Sequence, residues 1–117
     1  MADARLLIVE DEAALRDLLR RYLERAGYRT EAFAGPEEAL RRFAAEPSGF
    51  SLVVTDLALP GLDGEALLDR MRALQPDLPA LILSGYPHQP AHPLTRFLQK
   101  PFLPKMLLEE IERALAK

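Results

Sequence analysis

Acidic residues follow two short apolar runs of the chain. Glu10 and Asp11 follow the run at 6–9, and Asp56 follows the run at 52–55. In an open parallel sheet, ligands bind outside the carboxyl ends of the strands, so these carboxylates would meet at one edge. At 4 Å and an effective dielectric constant near 20, each pair of such charges costs roughly 4 kcal/mol. A divalent cation would remove this cost, and an all-oxygen ligand set favours Mg²⁺, or Mn²⁺ in its place.

A carboxylate beside such a cation can act as an in-line nucleophile toward a phosphoryl group. The transfer needs a hydroxyl donor and further positive charge. Ser84 closes the apolar run at 80–83, and Lys100 follows the run at 96–99, where its amine could pair with Asp56 or with a phosphoryl group on it. Each of these groups comes at the end of a predicted strand. The sequence therefore predicts one pocket suited to phosphoryl transfer.

The composition excludes several other kinds of protein. The chain has 117 residues, of which 49% are hydrophobic, so residues 1–117 are expected to form one domain with its own core. The absence of cysteine excludes a thiol nucleophile and a zinc–thiolate site. A net charge of −3 matches nucleic acid and anionic membranes poorly. With no signal-peptide character and no apolar stretch near ~20 residues, we expect a cytoplasmic protein without membrane insertion or direct nucleic-acid contact.

Strand-like and helix-like patterns alternate along the chain. Strands are predicted at 6–9, 28–33, 51–55, 80–83 and 96–99, and amphipathic helices follow the first, second, third and fifth of them. Continuous apolar runs in the first, third and fourth strands are typical of central positions in a parallel sheet. Right-handed crossovers then favour a doubly wound (βα)5 sheet with strand order 2-1-3-4-5.

The segment between Ser84 and Arg96 breaks this alternation. Prolines at 87, 90 and 93 remove backbone donors and clash with helical turns, so the fourth helix is predicted to be short or absent. His88 and His92 have the i, i+4 spacing of a metal pair, but only if they lie on a helix. We therefore interpret both histidines as solvated loop residues.

The complete set of motifs resembles the receiver domain of two-component response regulators, over essentially the whole chain, and implies a flavodoxin-like fold. The residues that carry the resemblance are Glu10-Asp11, Asp56, Pro60-Gly61, Asp63-Gly64, Ser84-Gly85 and Lys100-Pro101-Phe102. It implies phosphorylation of Asp56 by a sensor histidine kinase or a histidine phosphotransfer protein, and signalling by conformational change to an unknown downstream protein. Such a domain is not an enzyme, beyond self-phosphorylation from a phosphodonor and slow self-dephosphorylation.

The resemblance also assigns the site residues. Mg²⁺ would be bound directly by Asp11 and Asp56 and by the backbone carbonyl of Ala58, with Glu10 acting through water. Ser84 and Lys100 would hold the phosphoryl oxygens.

Four further positions receive supporting roles from the same resemblance. Phe97 occupies the place of the family's aromatic switch residue, and a cis peptide bond is expected before Pro101. Ala58 and Tyr86 occupy positions that tune hydrolysis of the acyl phosphate. Small Ala58 offers no group to orient water, and Tyr86 could shield the phosphate, so a long-lived phosphoryl group is predicted.

One departure from the family pattern affects the expected partners. Only 15 residues separate Ser84 from Lys100, so the face that family members use for output must be remodelled, and their partners and dimers cannot be carried over. The chain could act alone or as the receiver portion of a hybrid kinase or larger regulator.

The sequence is compatible with two rival functions. The first is a receiver fold used as a phosphorylation-independent interaction module, which the missing helix favours and the complete acid set opposes. The second is an aspartyl-phosphate hydrolase of the haloacid dehalogenase type. That chemistry uses a second aspartate two residues after the nucleophile, where this chain has Ala58.

Overall fold

The structure is a computed structural model that describes residues 4–116. As the sequence pattern predicts, its strands and helices alternate except between the last two strands. In chain order they are β1 (Arg5–Val9), α1 (Ala13–Arg25), β2 (Arg29–Phe33), α2 (Pro36–Ala45), a short 3-10 turn (Pro47–Gly49), β3 (Leu52–Asp56), α3 (Gly64–Leu74), β4 (Ala80–Ser84), β5 (Thr95–Gln99) and α4 (Pro104–Ala116).

The five strands form one parallel sheet in the order β2-β1-β3-β4-β5. This confirms the predicted doubly wound topology. Every residue of β3 and β4 is buried, whereas β2 is partly exposed at the edge of the sheet. Continuous apolar runs thus occupy the strands covered on both faces, and the alternating run occupies an edge.

Alternate residues of each strand point to opposite faces of the sheet, so the core consists of two clusters. On one face, Ile8 and Val54 pack with residues of α1 and α4 such as Leu19 and Ile111. On the other face, residues of α2 and α3 cover the sheet, among them Phe43, Leu67 and Met71. Helices therefore cover both faces of the sheet with apolar side chains, and the polar candidate residues lie at the ends of the strands.

The loop between β3 and α3 is tightly held beneath Asp56. The Gly64 N–H donates to Leu57 O at 2.8 Å, and the Asp63 carboxylate caps α3 by accepting from the Ala66 N–H at 2.8 Å. A Cβ atom on Gly64 would lie 2.5 Å from Asp56 O, a distance that Cβ atoms in real proteins essentially never show. Glycine at position 64 is therefore what allows α3 to begin so close to the end of β3.

Residues 85–94 join β4 to β5 without forming a helix, as the three prolines predict. We call this segment the strap. Its residues alternate between exposed and partly buried from Pro87 to Leu94, which is the pattern of extended chain lying on a surface. Within residues 4–116, no helix combines the length and the apolar character needed to cross a membrane.

Candidate functional site

Three carboxylates meet at the carboxyl ends of β1 and β3, which are neighbours in the sheet. One oxygen atom each from Glu10, Asp11 and Asp56 lies within 4.8 Å of the others. Glu10 is 1% exposed and Asp56 is 8% exposed, whereas Asp11 lies open to solvent. The structure thus brings together the three acids that the sequence places after these two strands.

Lys100 places its ammonium group between two of these acids. Its Nζ atom lies 3.2 Å from Asp56 Oδ1 and 3.3 Å from Glu10 Oε1. The backbone N–H of Lys100 donates to Ser84 O at 2.7 Å, and the peptide bond that follows, to Pro101, is cis. The side chain therefore starts from the end of β5 and reaches across the end of β4 to the acids.

Burial raises the pKa of both buried carboxyl groups. For Glu10, the hydrogen bond from the Glu12 N–H opposes the effect of burial, and the charge of Asp56 adds to it. For Asp56, the ammonium group of Lys100 opposes the effect of burial, and the charge of Asp11 adds to it. The folded protein therefore holds these charges at a cost that one lysine does not fully offset.

The pKa of Lys100 is raised, in spite of its partial burial. Burial alone would lower it, but the nearby charges of Glu10 and Asp56 and their hydrogen bonds outweigh that effect. Lys100 is therefore protonated at neutral pH. Three acids facing one ammonium group leave a net negative site.

Two contacts that sequence reasoning missed hold Glu10 in place. Its Oε2 atom accepts from the Glu12 N–H at 3.1 Å, and its backbone carbonyl accepts from Arg16 Nη1 at 2.9 Å. No pattern in the sequence indicates the second contact, because Arg16 also fits an ordinary solvated position on α1.

Ser84 ends β4 beside this site and is 7% exposed. Its Oγ atom accepts a hydrogen bond from the Tyr86 N–H at 3.1 Å. The hydroxyl proton is not used in that bond and can be donated to another acceptor. The ends of β1, β3, β4 and β5 together thus carry the acids, the hydroxyl and the amine.

Comparison with known proteins gives the family. The pattern of the response regulator receiver domain matches residues 6–112. The chain belongs to this family. It is 35% identical to the response regulator receiver protein CpdR of Brucella abortus, over 95% of this chain and 96% of CpdR. It is 38% identical to the transcriptional regulatory protein FixJ of Bradyrhizobium diazoefficiens, over 94% of this chain and 56% of FixJ, so it spans about half of that relative.

A solved structure agrees with the fold of this receiver. The crystal structure of the receiver domain from the hybrid histidine kinase CckA superposes with a TM-score of 0.87 at 34% identity. The superposition covers 96% of this chain and 99% of that one. The flavodoxin-like fold and the receiver family expected from the motifs are therefore confirmed.

The donors in the receiver's acidic pocket fit a hard divalent cation. Every candidate ligand of the cluster is a carboxylate oxygen, without histidine or thiolate. The pKa values of the two buried acids are raised, and a bound cation would lower them. Ala58, whose backbone carbonyl the resemblance to the family is expected to add to this set, lies exposed in the loop after β3.

Phe97 and Tyr86 lie in very different surroundings in this receiver. Phe97 packs against the apolar core cluster that α2 and α3 cover. Its ring contacts the ring of His88 edge to face, with the ring centroids 6.1 Å apart. Tyr86 is 81% exposed, so its ring lies in solvent in this conformation. Shielding of a phosphoryl group by Tyr86 would require the ring to turn inward.

The interpretation of His88 as a solvated loop residue is wrong. Its side chain is 22% exposed, and Nε2 lies 2.7 Å from Glu65 Oε2 on α3. His92 does not join it, because His92 Nδ1 accepts from the Leu94 N–H at 3.0 Å. The pairing of His88 escaped prediction because Glu65 is distant in the chain, and nothing in the local pattern links the two residues.

Proposed function

We propose that this receiver accepts a phosphoryl group on Asp56 from a sensor histidine kinase or a histidine phosphotransfer protein. The observation that carries the proposal is the position of the Asp56 carboxylate, nearly buried and 3.2 Å from Lys100 Nζ, within a cluster of two other acids. A carboxylate held beside a fixed positive charge is suited to attack a phosphoryl group, because that charge can stabilise the negative charge on the phosphoryl oxygens.

The reaction is a phosphoryl transfer between two side chains. An Asp56 carboxylate oxygen attacks the phosphorus of a phosphohistidine, the phosphorus–nitrogen bond breaks, and the imidazole leaves with its electron pair and takes up a proton. Lys100 then pairs with the phosphoryl oxygens and Ser84 donates its hydroxyl proton to one of them. Glu10, Asp11, Asp56 and the Ala58 carbonyl would hold Mg²⁺, or Mn²⁺ in its place, which when bound neutralises charge on the phosphoryl oxygens.

The proposed output is a change of conformation that a downstream protein recognises. The sequence carries a net charge of −3, so we propose a protein target and no direct contact with nucleic acid, in a cytoplasmic setting without membrane insertion. CpdR supports action as a receiver alone, because this chain covers nearly all of it. FixJ and the CckA kinase equally support a receiver that works within a longer protein.

An apolar groove beside the phosphoacceptor is suited to the phosphodonor protein. Its volume is about 290 Å³, and it runs from Leu15 and Leu18 on α1 to Pro101 and Phe102. Leu18 is 40% exposed, so a partner can reach it. Lys100 lines the groove as well as the acidic site, so a partner docked there lies beside Asp56.

Mass spectrometry tests the proposed function directly. Incubation with acetyl phosphate and Mg²⁺ should add the mass of one phosphoryl group, and the Asp56→Asn variant should add none. Asp77→Asn, which removes an exposed acid between α3 and β4, is the matched control and should be labelled like the wild type. Labelling of the Asp56→Asn variant at another residue would refute the assignment.

The absence of a helix in the strap supports one second candidate, a phosphorylation-independent interaction module. Such a module should bind its target equally well with and without phosphate on Asp56. The hydrolase alternative has no support in the site, because Ala58 stands where that chemistry needs a second aspartate.

The lifetime of the acyl phosphate is also part of the proposal. Exposed Ala58 leaves room for water beside Asp56 but offers no group to orient it, which favours slow hydrolysis. Replacement of Ala58 by a hydrogen-bonding residue, as in Ala58→Asn, should then shorten the lifetime of the labelled species. An unchanged lifetime in that variant would contradict the tuning role of position 58.

A further inference from the structure

We propose that Glu65 is a latch residue that holds the strap closed, and that a phosphoryl group on Asp56 opens this latch through Ser84. The inference rests on the proposed function, because it needs Ser84 to engage the phosphoryl group. It assigns a positioning role to a residue of α3 that lies outside the acidic pocket.

The latch consists of two hydrogen bonds to a single oxygen atom. Glu65 Oε2 lies 2.7 Å from His88 Nε2 and accepts from the Ala91 N–H at 3.1 Å. The Glu65 and His88 side chains are 20% and 22% exposed, so the bond between them is partly shielded from water, whereas the bond from the Ala91 N–H lies at the exposed surface. One carboxylate on α3 therefore fastens two points of the strap.

The strap needs such a fastening because it has no helical hydrogen bonds of its own. Its inward residues, from His88 to Leu94, are only partly buried, and its far end is tied to the sheet where Leu94 O accepts from the Ala80 N–H at 3.1 Å. Between its ends, the contact of Glu65 with His88 at 2.7 Å is the shortest polar contact that the structure shows for this segment. Loss of that contact should free the middle of the strap without disturbing the sheet.

A short stretch of chain joins the latch to Ser84, which ends β4 beside the phosphorylation site. Ser84 Oγ accepts from the Tyr86 N–H at 3.1 Å, and Tyr86 stands two residues before His88. Movement of the Ser84 hydroxyl toward a phosphoryl group on Asp56 would lengthen or break its bond to Tyr86 and displace the start of the strap. The ring of His88 also rests against Phe97, so release of His88 removes a contact that holds Phe97 in place.

Coupling between the two sites must act in both directions. If the phosphoryl group favours the open strap, a variant with a broken latch must bind a phosphoryl mimic more tightly. Glu65→Ala removes both hydrogen bonds, and His88→Ala removes one of them from the opposite side. Asp69→Ala is the matched control, because Asp69 is an exposed acid on the same helix, one turn further along.

The experiment measures amide hydrogen exchange in residues 86–94 with and without Mg²⁺ and beryllofluoride, a mimic of the phosphoryl group. In the wild type and in Asp69→Ala, the mimic should accelerate exchange of this peptide. In Glu65→Ala and His88→Ala, exchange should already be fast without the mimic. Glu65→Ala should also bind the mimic at least about fivefold more tightly, which a purely structural role of Glu65 would not produce.

The outcomes separate the latch from the function on which it rests. Beryllofluoride could bind and acetyl phosphate could label Asp56 without any change of exchange in the strap. In that case the latch proposal is wrong, and the proposed phosphoacceptor function is supported. Equal affinity of wild type and Glu65→Ala for the mimic would also overturn the latch. If Asp56 takes neither label nor mimic, the proposed function itself fails. Should Glu65→Ala not fold, His88→Ala carries the same comparison, because it breaks the bond from the strap side.

Discussion

Lys100 Nζ lies 3.2 Å from Asp56 Oδ1, although β3, which ends at Asp56, and β5, which precedes Lys100, are not neighbours in the sheet. The same ammonium group lies 3.3 Å from Glu10, on the far side of the site. Lys100 is therefore the internal counter-charge of the pocket, and in the proposed function the same amine pairs with the phosphoryl group. Its removal should affect stability and switching in different ways.

Lys100→Met should still fold but should lose stability in the absence of metal. Removal of the ammonium group leaves Glu10 and Asp56 facing each other without compensation, at a cost of about 1–2 kcal/mol in the free energy of unfolding. Millimolar Mg²⁺ should recover much of this loss. Urea unfolding with and without Mg²⁺ measures both effects, with Lys105→Met, at an exposed position on α4, as the control.

The same variant should uncouple phosphorylation from any change of conformation. Asp56 can still react with acetyl phosphate, but the amine that would pair with the phosphoryl oxygens is absent. Labelling with no accelerated exchange in the strap is the expected result. A normal response of the strap in Lys100→Met would show that the lysine does not transmit the signal.

Asp56→Asn should stabilise the metal-free protein by about 1 kcal/mol, as is common for substitutions that relieve strain at a functional site. The pKa values of Asp56 and Glu10 are raised by burial, so the folded state binds protons more readily than the unfolded chain. This contribution to stability is present below the unfolded values of about 4 and is lost as pH rises through the raised values. Urea midpoints between pH 4 and pH 7 should show a smaller fall for Asp56→Asn than for the wild type.

Mg²⁺ should raise the melting temperature of the wild type by relieving repulsion among the three acids. At 100 times its dissociation constant, a ligand that binds only the folded state adds about 2.7 kcal/mol to stability. Asp11→Asn should lose most of this gain, whereas Asp77→Asn, away from the cluster, should keep it. The absence of any shift in the wild type at millimolar Mg²⁺ would count against a cation site.

Gly64→Ala should disturb the phosphoacceptor although position 64 carries no functional group. Its Cβ would lie 2.5 Å from Asp56 O and 3.2 Å from Leu57 Cα, so the backbone below Asp56 must move. We expect a loss of about 1–3 kcal/mol in stability and slower labelling by acetyl phosphate. Gly85→Ala is the control, since a Cβ there meets nothing within 4 Å; a similar loss in both variants would contradict this explanation.

The sequence by itself determined the sheet, its strand order and the edge at which the acids lie. Apolar runs buried on both faces, such as the one that ends at Asp56, and the alternation of β2 are local patterns that reflect burial directly. The three prolines of the strap likewise act locally, by removing donors and by steric clash. The order of the elements then leaves few topologies, so the sequence alone places the carboxyl ends of four strands together.

Only the tertiary structure decided how these side chains pair. The ammonium group of Lys100 between Glu10 and Asp56, the guanidinium of Arg16 on the Glu10 carbonyl, and the bond of Glu65 to His88 all join residues from different elements. Such contacts depend on the rotamer and burial of each partner after the chain has folded, and no short-range pattern records them. For that reason Glu65, which as a sequence position is an ordinary acid in the first turn of a helix, emerges as a candidate for control only from the structure.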